Sequence, residues 1–330
     1  MHISPDDRQR TLNVELVAER FDLGEPLGDP TVAAWGWGQR NLVWRVETRG
    51  GVFAVKDVIA DLLPENPEIA LRVESLAHAA GVPSAEPIPS PAGTAFECLD
   101  GRWYRCHRWI DGTAKQNEDT TACDAREMGA VVARLHRLRL EAGRLPPIAR
   151  YGRRHWRDLA RRAPRASWSA LIEHNLDAID NAEKFGATFD DAAPIGSHCD
   201  LNAHNVLFTT EGLVLIDWDA AGPASAAYER ASTAVLWSRR HDGRFDLDIA
   251  IAFLRAYREE GWLVDLSDVD ALPRWLTGVA WWTERNVQIA LARPSATHDE
   301  LATHLVSALA AGVDTVHHQQ AFLREAIARL

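Results

Sequence analysis

The spacing of hydrophobic and polar positions changes character near residue 110 of the 330-residue chain. Before that point, apolar and polar residues alternate in short runs, which is typical of β-strands that bury one face. The strands predicted from this pattern cover residues 42–47, 52–58, 94–99 and 102–110. The first two flank Gly50 and Gly51 and therefore predict a β-hairpin.

Two helices are predicted among these strands. Apolar positions recur at helical spacing over residues 12–22. A second helix is predicted to begin at Asn66 and Pro67, a capping residue followed by proline at the first helical position, and to end at Gly81. Four prolines between residues 83 and 91 then predict a segment without regular structure.

After residue 111 the pattern is mainly helical. The predicted helices cover residues 122–140 and 168–184 and the region from 228 to 330. One exception is a second hairpin, predicted from apolar runs at 206–208 and 213–216 around a turn. The chain is therefore expected to have the α+β fold class, with a β-rich N-terminal lobe (1–108) and a helical C-terminal lobe (109–330).

Composition and charge exclude several classes of protein. The 36 Lys and Arg residues against 47 Asp and Glu give a net charge of −11, which disfavours nucleic acid as a partner and favours a cationic ligand. No apolar run is long enough for a membrane span, so no membrane association is expected. The four cysteines lack Cys-x-x-Cys spacing and the N-terminus lacks a secretion signal, so a cytoplasmic location is expected.

Lysine is rare in this chain, which makes each one informative. The three lysines are Lys56, Lys115 and Lys184. Lys56 lies in an otherwise apolar predicted strand, where a buried ammonium is costly unless it is paired. A phosphate and a carboxylate would explain it. Glu74 is the candidate carboxylate and Glu68 is its rival, although Glu74 could also be a solvated helix residue.

The candidate catalytic residues surround the second hairpin. Asn205 precedes its first strand and Asp217 follows its second, so their side chains are expected at one edge, with Asp200 close by. An amide oxygen and a carboxylate suit Mg²⁺. Asp200 would then be free to accept a proton. His198 is expected to be a structural hydrogen-bonding residue rather than a catalyst.

A glycine-containing loop precedes the predicted hairpin whose second strand carries Lys56. It carries Gly36 and Gly38, but it enters a strand rather than a helix, which excludes a dinucleotide-binding Rossmann motif. The chain also lacks the P-loop motif. Backbone N–H groups of such a loop can nevertheless contact phosphates.

Together these motifs resemble those of the aminoglycoside phosphotransferase and choline kinase group of small-molecule kinases. The matching residues are Gly36, Gly38, Val55 and Lys56, Glu74, Trp109 to Gly112, Leu135 and His136, His198, Asp200, Asn205, and Leu215 to Asp219. The resemblance extends over residues 25–240 and implies a bilobal protein-kinase-like fold with ATP or GTP and Mg²⁺ in its cleft. The absence of an Ala-Pro-Glu segment argues against a protein substrate.

The resemblance also implies a role for each site residue. Lys56 would hold phosphates and pair with Glu74, Asp217 and Asn205 would hold Mg²⁺, and Asp200 would orient or deprotonate the acceptor hydroxyl. Nucleotide contacts are expected from Gly36, Gly38, Lys56, Glu74, Arg108, Trp109, Ile110 and Ile216. Candidates for the acceptor site are Asp219, Glu229, Trp237, Trp281, Trp282 and Glu284. Core packing is the expectation for most tryptophans and the first expectation for these three, with an aromatic acceptor wall as the alternative. Loop capping is the alternative for Asp219. Cys199 stands where these kinases usually have glycine, and little effect is expected from it.

The predicted function is therefore Mg²⁺-dependent phosphoryl transfer from ATP or GTP to a hydroxyl of a small molecule. An aminoglycoside or another antibiotic is the favoured acceptor, as in a resistance-type kinase. The alternatives are a primary-metabolite kinase acting on choline, an amino alcohol or a sugar, and a silent nucleotide-binding pseudokinase. The intact set of Lys56, Asp200, Asn205 and Asp217 counts against the pseudokinase. A monomer or a dimer is expected.

Overall fold

The computed structural model describes residues 11–35, 42–58, 63, 66–145, 150–189 and 193–330. The chain divides into two compact units. One consists of Met1–Gly143 and Ile195–Ala224, and the other of Arg144–Pro194 and Ser225–Leu330. The predicted lobe boundary at residue 109 is a different division and stays a prediction. Within the described ranges, no helix combines the length and the apolar character that crossing a membrane requires.

The first unit contains a six-stranded antiparallel sheet. Its strands are β1 (Thr31–Trp35), β2 (Leu42–Thr48), β3 (Gly51–Val58), β4 (Pro87–Ile88), β5 (Glu97–Leu99) and β6 (Arg102–Arg108). The spatial order is β1-β2-β3-β6-β4, and β5 also pairs with β6. The predicted hairpin is confirmed as β2 and β3. The proline-rich segment does contain regular structure, namely β4, because an edge strand tolerates a proline that donates no ladder hydrogen bond.

The described residues of the same unit form three α-helices. They are α1 (Val14–Arg20), α2 (Pro67–Ala79) and α3 (Ala122–Arg137). The side chain of Asn13 caps α1 by accepting from the Leu16 N–H at 3.2 Å. The capping role predicted for Asn66 is wrong, since the side chain of this described residue makes no capping hydrogen bond to α2. Helix α3 ends earlier than predicted, and Leu140 instead bridges to Gly196.

The hydrophobic core of this unit lies between α1 and the sheet. Val17 and Phe21 of the α1 region pack with Val46, Phe53 and Val55 of β2 and β3, and all five side chains are buried. Full burial of an aliphatic or aromatic side chain contributes about 1.5–3 kcal/mol. This packing fixes the strand that carries Lys56.

Four short strands complete the unit. They are β7 (Ile195–Ser197), β8 (Val206–Thr209), β9 (Gly212–Leu215) and β10 (Gly222–Ala224). The predicted second hairpin is confirmed as β8 and β9, with Val206 opposite Leu215. The Ile216 N–H donates to the Asn205 carbonyl at 2.9 Å. The hairpin therefore places the residues just before β8 beside those just after β9.

The second unit is helical. Its helices are α4 (Gly152–Arg162), α5 (Ser167–His174), α6 (Leu176–Gly186), α7 (Ala226–Ser238), α8 (Leu247–Glu259), α9 (Ser267–Ala271), α10 (Trp275–Ala292), α11 (Ala296–Ala310) and α12 (Gly312–Ala328). The single helix predicted over 168–184 is two helices, separated at Asn175. The side-chain amide of Asn175 donates to the Leu171 carbonyl at 2.8 Å, a local bond that competes with helix continuation.

A buried carboxylate of α6 caps α4. Glu183 accepts from the backbone N–H of Tyr151 at 3.2 Å, from that of Gly152 at 2.8 Å and from the indole N–H of Trp156 at 2.9 Å. An anion at a helix N-terminus satisfies N–H groups that have no partner within the helix.

Trp156, Trp168 and Trp237 are fully buried, as predicted for most tryptophans.

Candidate active site

Lys56 lies on the face of the sheet that carries a second buried cation. It stands directly opposite Arg105 in the pairing of β3 with β6. Like charges at opposed positions of a sheet destabilise it unless an anion bridges them. Asp219 is that anion, since it accepts from the Lys56 ammonium at 2.6 Å and from the Arg105 guanidinium. The Lys56 ammonium also donates to the Asp217 carboxylate at 2.7 Å.

The expected pair between Lys56 and Glu74 is not formed. Among the described residues, the partners of Glu74 are Arg105 and His107, the latter at 2.9 Å. Both partners lie on β6, two positions apart, and therefore point to the same face of the sheet. Glu74 is wholly buried on α2, so the solvated alternative is also wrong. The rival Glu68 is exposed at the start of α2.

The charges of this cluster stabilise one another. Burial alone would lower the pKa of Lys56, but the carboxylates of Asp217 and Asp219 outweigh it and raise that pKa above its ordinary value. Burial would raise the pKa of Asp219, but Lys56 and Arg105 hold it below its usual range. The pKa of Glu74 is lowered in the same way, against burial, by His107 and Arg105. All three groups are therefore charged at neutral pH.

Replacing Glu74 by glutamine tests this electrostatic coupling through stability. Because the pKa of Glu74 is lower in the folded state, its stabilisation is complete above the unfolded-state pKa and is lost as pH falls through the folded-state pKa. The difference in free energy of unfolding between wild type and Glu74→Gln is expected to be constant above about pH 5. Below about pH 4 it should shrink by up to ~1.4 kcal/mol per pH unit. Urea denaturation at pH 7, 4 and 3 measures it, and a difference independent of pH would contradict the coupling.

Asp200 is held by a chain of side-chain amides. Its carboxylate accepts from the amide of Asn205 at 2.8 Å and from that of Asn202. Asn117 in turn donates to the amide oxygen of Asn202 at 3.0 Å and accepts from the Ala203 N–H at 2.8 Å. Each carboxylate oxygen of Asp200 has a second lone pair, so a hydroxyl can still donate to it. The amides therefore fix the direction of a possible proton acceptor.

His198 connects the loop that carries Asp200 to the segment after β9. Its Nδ1 accepts from the Asp200 N–H at 3.3 Å, so the proton is on Nε2, which donates to the Ile216 carbonyl at 2.9 Å. The ring is fully buried and lies 4.6 Å from the Trp218 ring, centroid to centroid. The prediction that His198 is structural is thereby confirmed.

Two residues beside this site adopt left-handed backbone conformations. Cys199 has φ +65° and Asp217 has φ +60°. Aspartate tolerates this region better than most residues because its short side chain can bond locally. The Cys199 thiol, a weaker donor, lies 3.6 Å from the carbonyl oxygens of Ser197 and Gly222. A conformation that suits glycine explains why kinases of the resembled group usually have glycine at the position of Cys199.

Replacing Cys199 by glycine should stabilise the protein. Relief of the left-handed strain, reduced by the entropy cost of an added glycine, is expected to raise the free energy of unfolding by about 0.5–1 kcal/mol. Turnover should stay within about twofold, because the substitution removes no hydrogen-bonding partner of Asp200. Denaturant unfolding and steady-state kinetics measure both quantities. A destabilised variant would mean that contacts of the thiol outweigh the strain.

The structure places the expected nucleotide-binding residues in different surroundings. Gly36 and Gly38 lie outside the described residues. The guanidinium of Arg108 donates to the Gly50 carbonyl at 2.8 Å and lies 4.5 Å from the Phe53 ring centroid. The Trp109 indole donates to Asp111 at 2.7 Å, and the side chains of Ile110 and Ile216 are half-buried. Nucleotide contacts of these residues stay predictions.

The residues expected at the acceptor site fall into both units. Asp219 belongs to the first and bridges two cations, so it is more than the cap of a loop. Trp237 is fully buried, in agreement with the expected core packing. Trp281 and Trp282 are partly exposed and stack at 6.0 Å between ring centroids. Glu284 accepts from His155 at 3.1 Å, and Glu229 is buried on α7. Their role toward an acceptor stays a prediction.

Four residues of the site were not foreseen from the sequence: Arg105, His107, Asn117 and Asn202. Arg105 stands between Tyr104 and Cys106 in a buried strand, so the argument applied to Lys56 would have found it. Asn117 lies in a short 3₁₀ turn, Asn117–Asp119, far in sequence from Asp200. No spacing rule connects two such loops.

Comparison with known proteins shows which family the sequence matches. A family model named APH, described as "Phosphotransferase enzyme family", matches residues 31–263. The homoserine kinase of Caulobacter vibrioides is 29% identical over 282 residues, which cover 81% of this chain and 83% of that protein. The homoserine kinase of Methylobacterium radiotolerans is 30% identical over 209 residues, which cover 61% of this chain and 62% of that protein.

Solved structures share the fold at low sequence identity. A spectinomycin phosphotransferase in complex with ADP and spectinomycin has a TM-score of 0.62 and 15% identity, covering 90% of this chain and 96% of that one. The choline kinase of Streptococcus pneumoniae has a TM-score of 0.60 and 14% identity, covering 90% and 98%. The predicted α+β, protein-kinase-like fold is thereby confirmed. Because the family match spans more than half of its length, the chain belongs to the APH phosphotransferase family and is a small-molecule phosphotransferase that acts on a hydroxyl group.

Proposed function

We propose that this protein is a homoserine kinase, which transfers the γ-phosphoryl group of ATP to the hydroxyl of homoserine. The observation that supports this acceptor is the similarity to homoserine kinases over four-fifths of the chain. Homoserine is an amino acid with a side-chain hydroxyl, so this acceptor belongs to the class of primary metabolites, although it is none of the three acceptors predicted from the sequence for that class. An aminoglycoside or other antibiotic is the second candidate, because a net charge of −11 favours a polycationic acceptor.

The residues of the first unit fit a magnesium–nucleotide site. One carboxylate oxygen of Asp217 accepts from the Lys56 ammonium. Within the described residues, the other oxygen is left for a ligand. Asn205 donates through its amide nitrogen, which leaves its amide oxygen for a ligand in the described structure. Hard oxygen donors of this kind suit Mg²⁺, which keeps other positions for phosphate oxygens and water. Bound there, Mg²⁺ would neutralise charge that develops on the phosphates.

The proposed reaction assigns one task to each remaining residue. Lys56 binds phosphate oxygens with its ammonium, which its carboxylate neighbours keep charged. Asp200 orients the hydroxyl of the acceptor and takes its proton as the oxygen attacks the γ-phosphorus. The bond between that phosphorus and the bridging oxygen breaks, and ADP leaves. Asn202 and Asn205 keep the Asp200 carboxylate in the orientation that this transfer needs.

A phosphorylation screen tests the acceptor. The purified protein is incubated with Mg²⁺ and either ATP or GTP, together with homoserine, choline, ethanolamine, a sugar or an aminoglycoside. The expected result is ADP release that depends on homoserine, with the phosphorylated product identified by mass. Phosphorylation of an antibiotic but not of homoserine would establish the second candidate. Nucleotide binding without transfer to any acceptor would support the pseudokinase.

A further inference from the structure

Lys56 has two carboxylate partners that differ in exposure. Its ammonium lies 2.7 Å from Asp217 and 2.6 Å from Asp219. The Asp217 side chain is 37% exposed, whereas that of Asp219 is 18% exposed and that of Lys56 only 12%. Asp217 is therefore the partner that a metal ion can reach, and Asp219 is the inner one.

Glu74 cannot replace either partner without loss elsewhere. One of its oxygens accepts from Arg105 and the other from His107, and its side chain has no exposure to solvent. Turning Glu74 toward Lys56 would leave the guanidinium of Arg105 with one carboxylate fewer in a buried position. Uncompensated buried charge is costly, so this rearrangement is disfavoured.

Asp219 is anchored from the opposite side. Its second oxygen accepts from Arg105, which also binds Glu74 on α2. The result is a continuous chain of charges from α2 through β6 to the segment after β9 and to Lys56 on β3. Asp219 therefore keeps its place when Asp217 changes partner.

We propose that Asp219 is the permanent carboxylate partner of Lys56. It is a positioning residue that keeps the ammonium paired when Asp217 binds the metal ion. This inference rests on the proposed function of the site. With Asp219 present, an ion that takes Asp217 leaves Lys56 still paired with a carboxylate. Without Asp219, the ion must share the last carboxylate partner of a buried ammonium, which weakens the attraction of that carboxylate for the ion.

Substitution of Asp219 should therefore change the Mg²⁺ concentration at which ADP binding tightens. In Asp219→Asn, the Mg²⁺ concentration needed for half-maximal tightening of ADP binding should rise about tenfold, the range of one hydrogen bond to a charged group. Isothermal calorimetry with ADP at a series of Mg²⁺ concentrations measures it without any acceptor. Asp219→Glu restores the carboxylate and should return part of the affinity for metal. Glu74→Gln alters a residue that contacts Arg105 and His107 but not Lys56, so it should shift the midpoint by about twofold to threefold.

A matched control separates positioning from stability. Asp57 follows Lys56 on β3, is more deeply buried than Asp219 and pairs with Arg102, but points to the other face of the sheet. Asp57→Asn removes a buried ion pair without touching Lys56, so its Mg²⁺ midpoint should stay within about twofold of wild type. Equal shifts in Asp219→Asn and Asp57→Asn, or a larger shift in Glu74→Gln than in Asp219→Asn, would overturn the inference. Failure of the wild type to bind ADP would instead refute the proposed function.

Discussion

Replacing Asp200 by asparagine is expected to lower kcat about 10³-fold, the usual effect of removing a positioned general base. The asparagine side chain has nearly the same shape, but it cannot take a proton from the acceptor hydroxyl. The Kd for ADP should change little, because the cations and the proposed metal ligands are intact. Steady-state kinetics with saturating acceptor and calorimetry with ADP measure the two quantities.

The effect should be specific to chemistry. Asp22→Asn, at an exposed aspartate after α1, provides a control for a change of one charge and should leave kcat within about twofold. If Asp200→Asn weakened nucleotide binding as strongly as it lowered turnover, Asp200 would belong to the nucleotide site. If it left turnover unchanged, the assignment of the proton acceptor would be wrong.

The arrangement around the second hairpin was predictable because it depends on local rules. A turn between two apolar runs fixes antiparallel pairing, and that pairing places the residues before β8 beside those after β9. His198, predicted to be a structural hydrogen-bonding residue, lies in the same loop and bonds through both ring nitrogens to backbone groups of Asp200 and Ile216. None of these steps required contacts between distant segments.

The partner of Lys56 was not predictable in this way. It depends on the register between β3 and β6, which places Arg105 opposite Lys56. The two residues are 49 positions apart in the sequence. The apolar neighbours Tyr104 and Cys106 indicate that Arg105 lies in a buried strand, but they do not show which strand pairs with it. Once Arg105 is there, it takes both Glu74 and Asp219, and the expected pair of Lys56 with Glu74 gives way.

The left-handed conformation of Asp217 shapes the choice of variant at the metal site. At φ +60°, ψ +58°, asparagine is tolerated about as well as aspartate, so Asp217→Asn removes the negative charge and leaves the backbone in place. We expect kcat/KM to fall about 10⁴-fold, because a metal ion supplies several kcal/mol of transition-state stabilisation. Tightening of ADP binding by Mg²⁺ should disappear.

Two control variants show whether the effect of Asp217→Asn is due to loss of a metal ligand. Asp100→Asn makes the same substitution at an exposed aspartate with φ +51° in the turn before β6, so it reproduces the backbone effect without the charge cluster and should behave as wild type. Asp219→Asn, two residues from Asp217, should still bind metal, although at higher concentration. A response of Asp217→Asn to Mg²⁺ equal to that of wild type would mean that the ion is held elsewhere. If only Asp219→Asn lost the response to Mg²⁺, Asp219 would be the metal ligand and Asp217 the positioning residue.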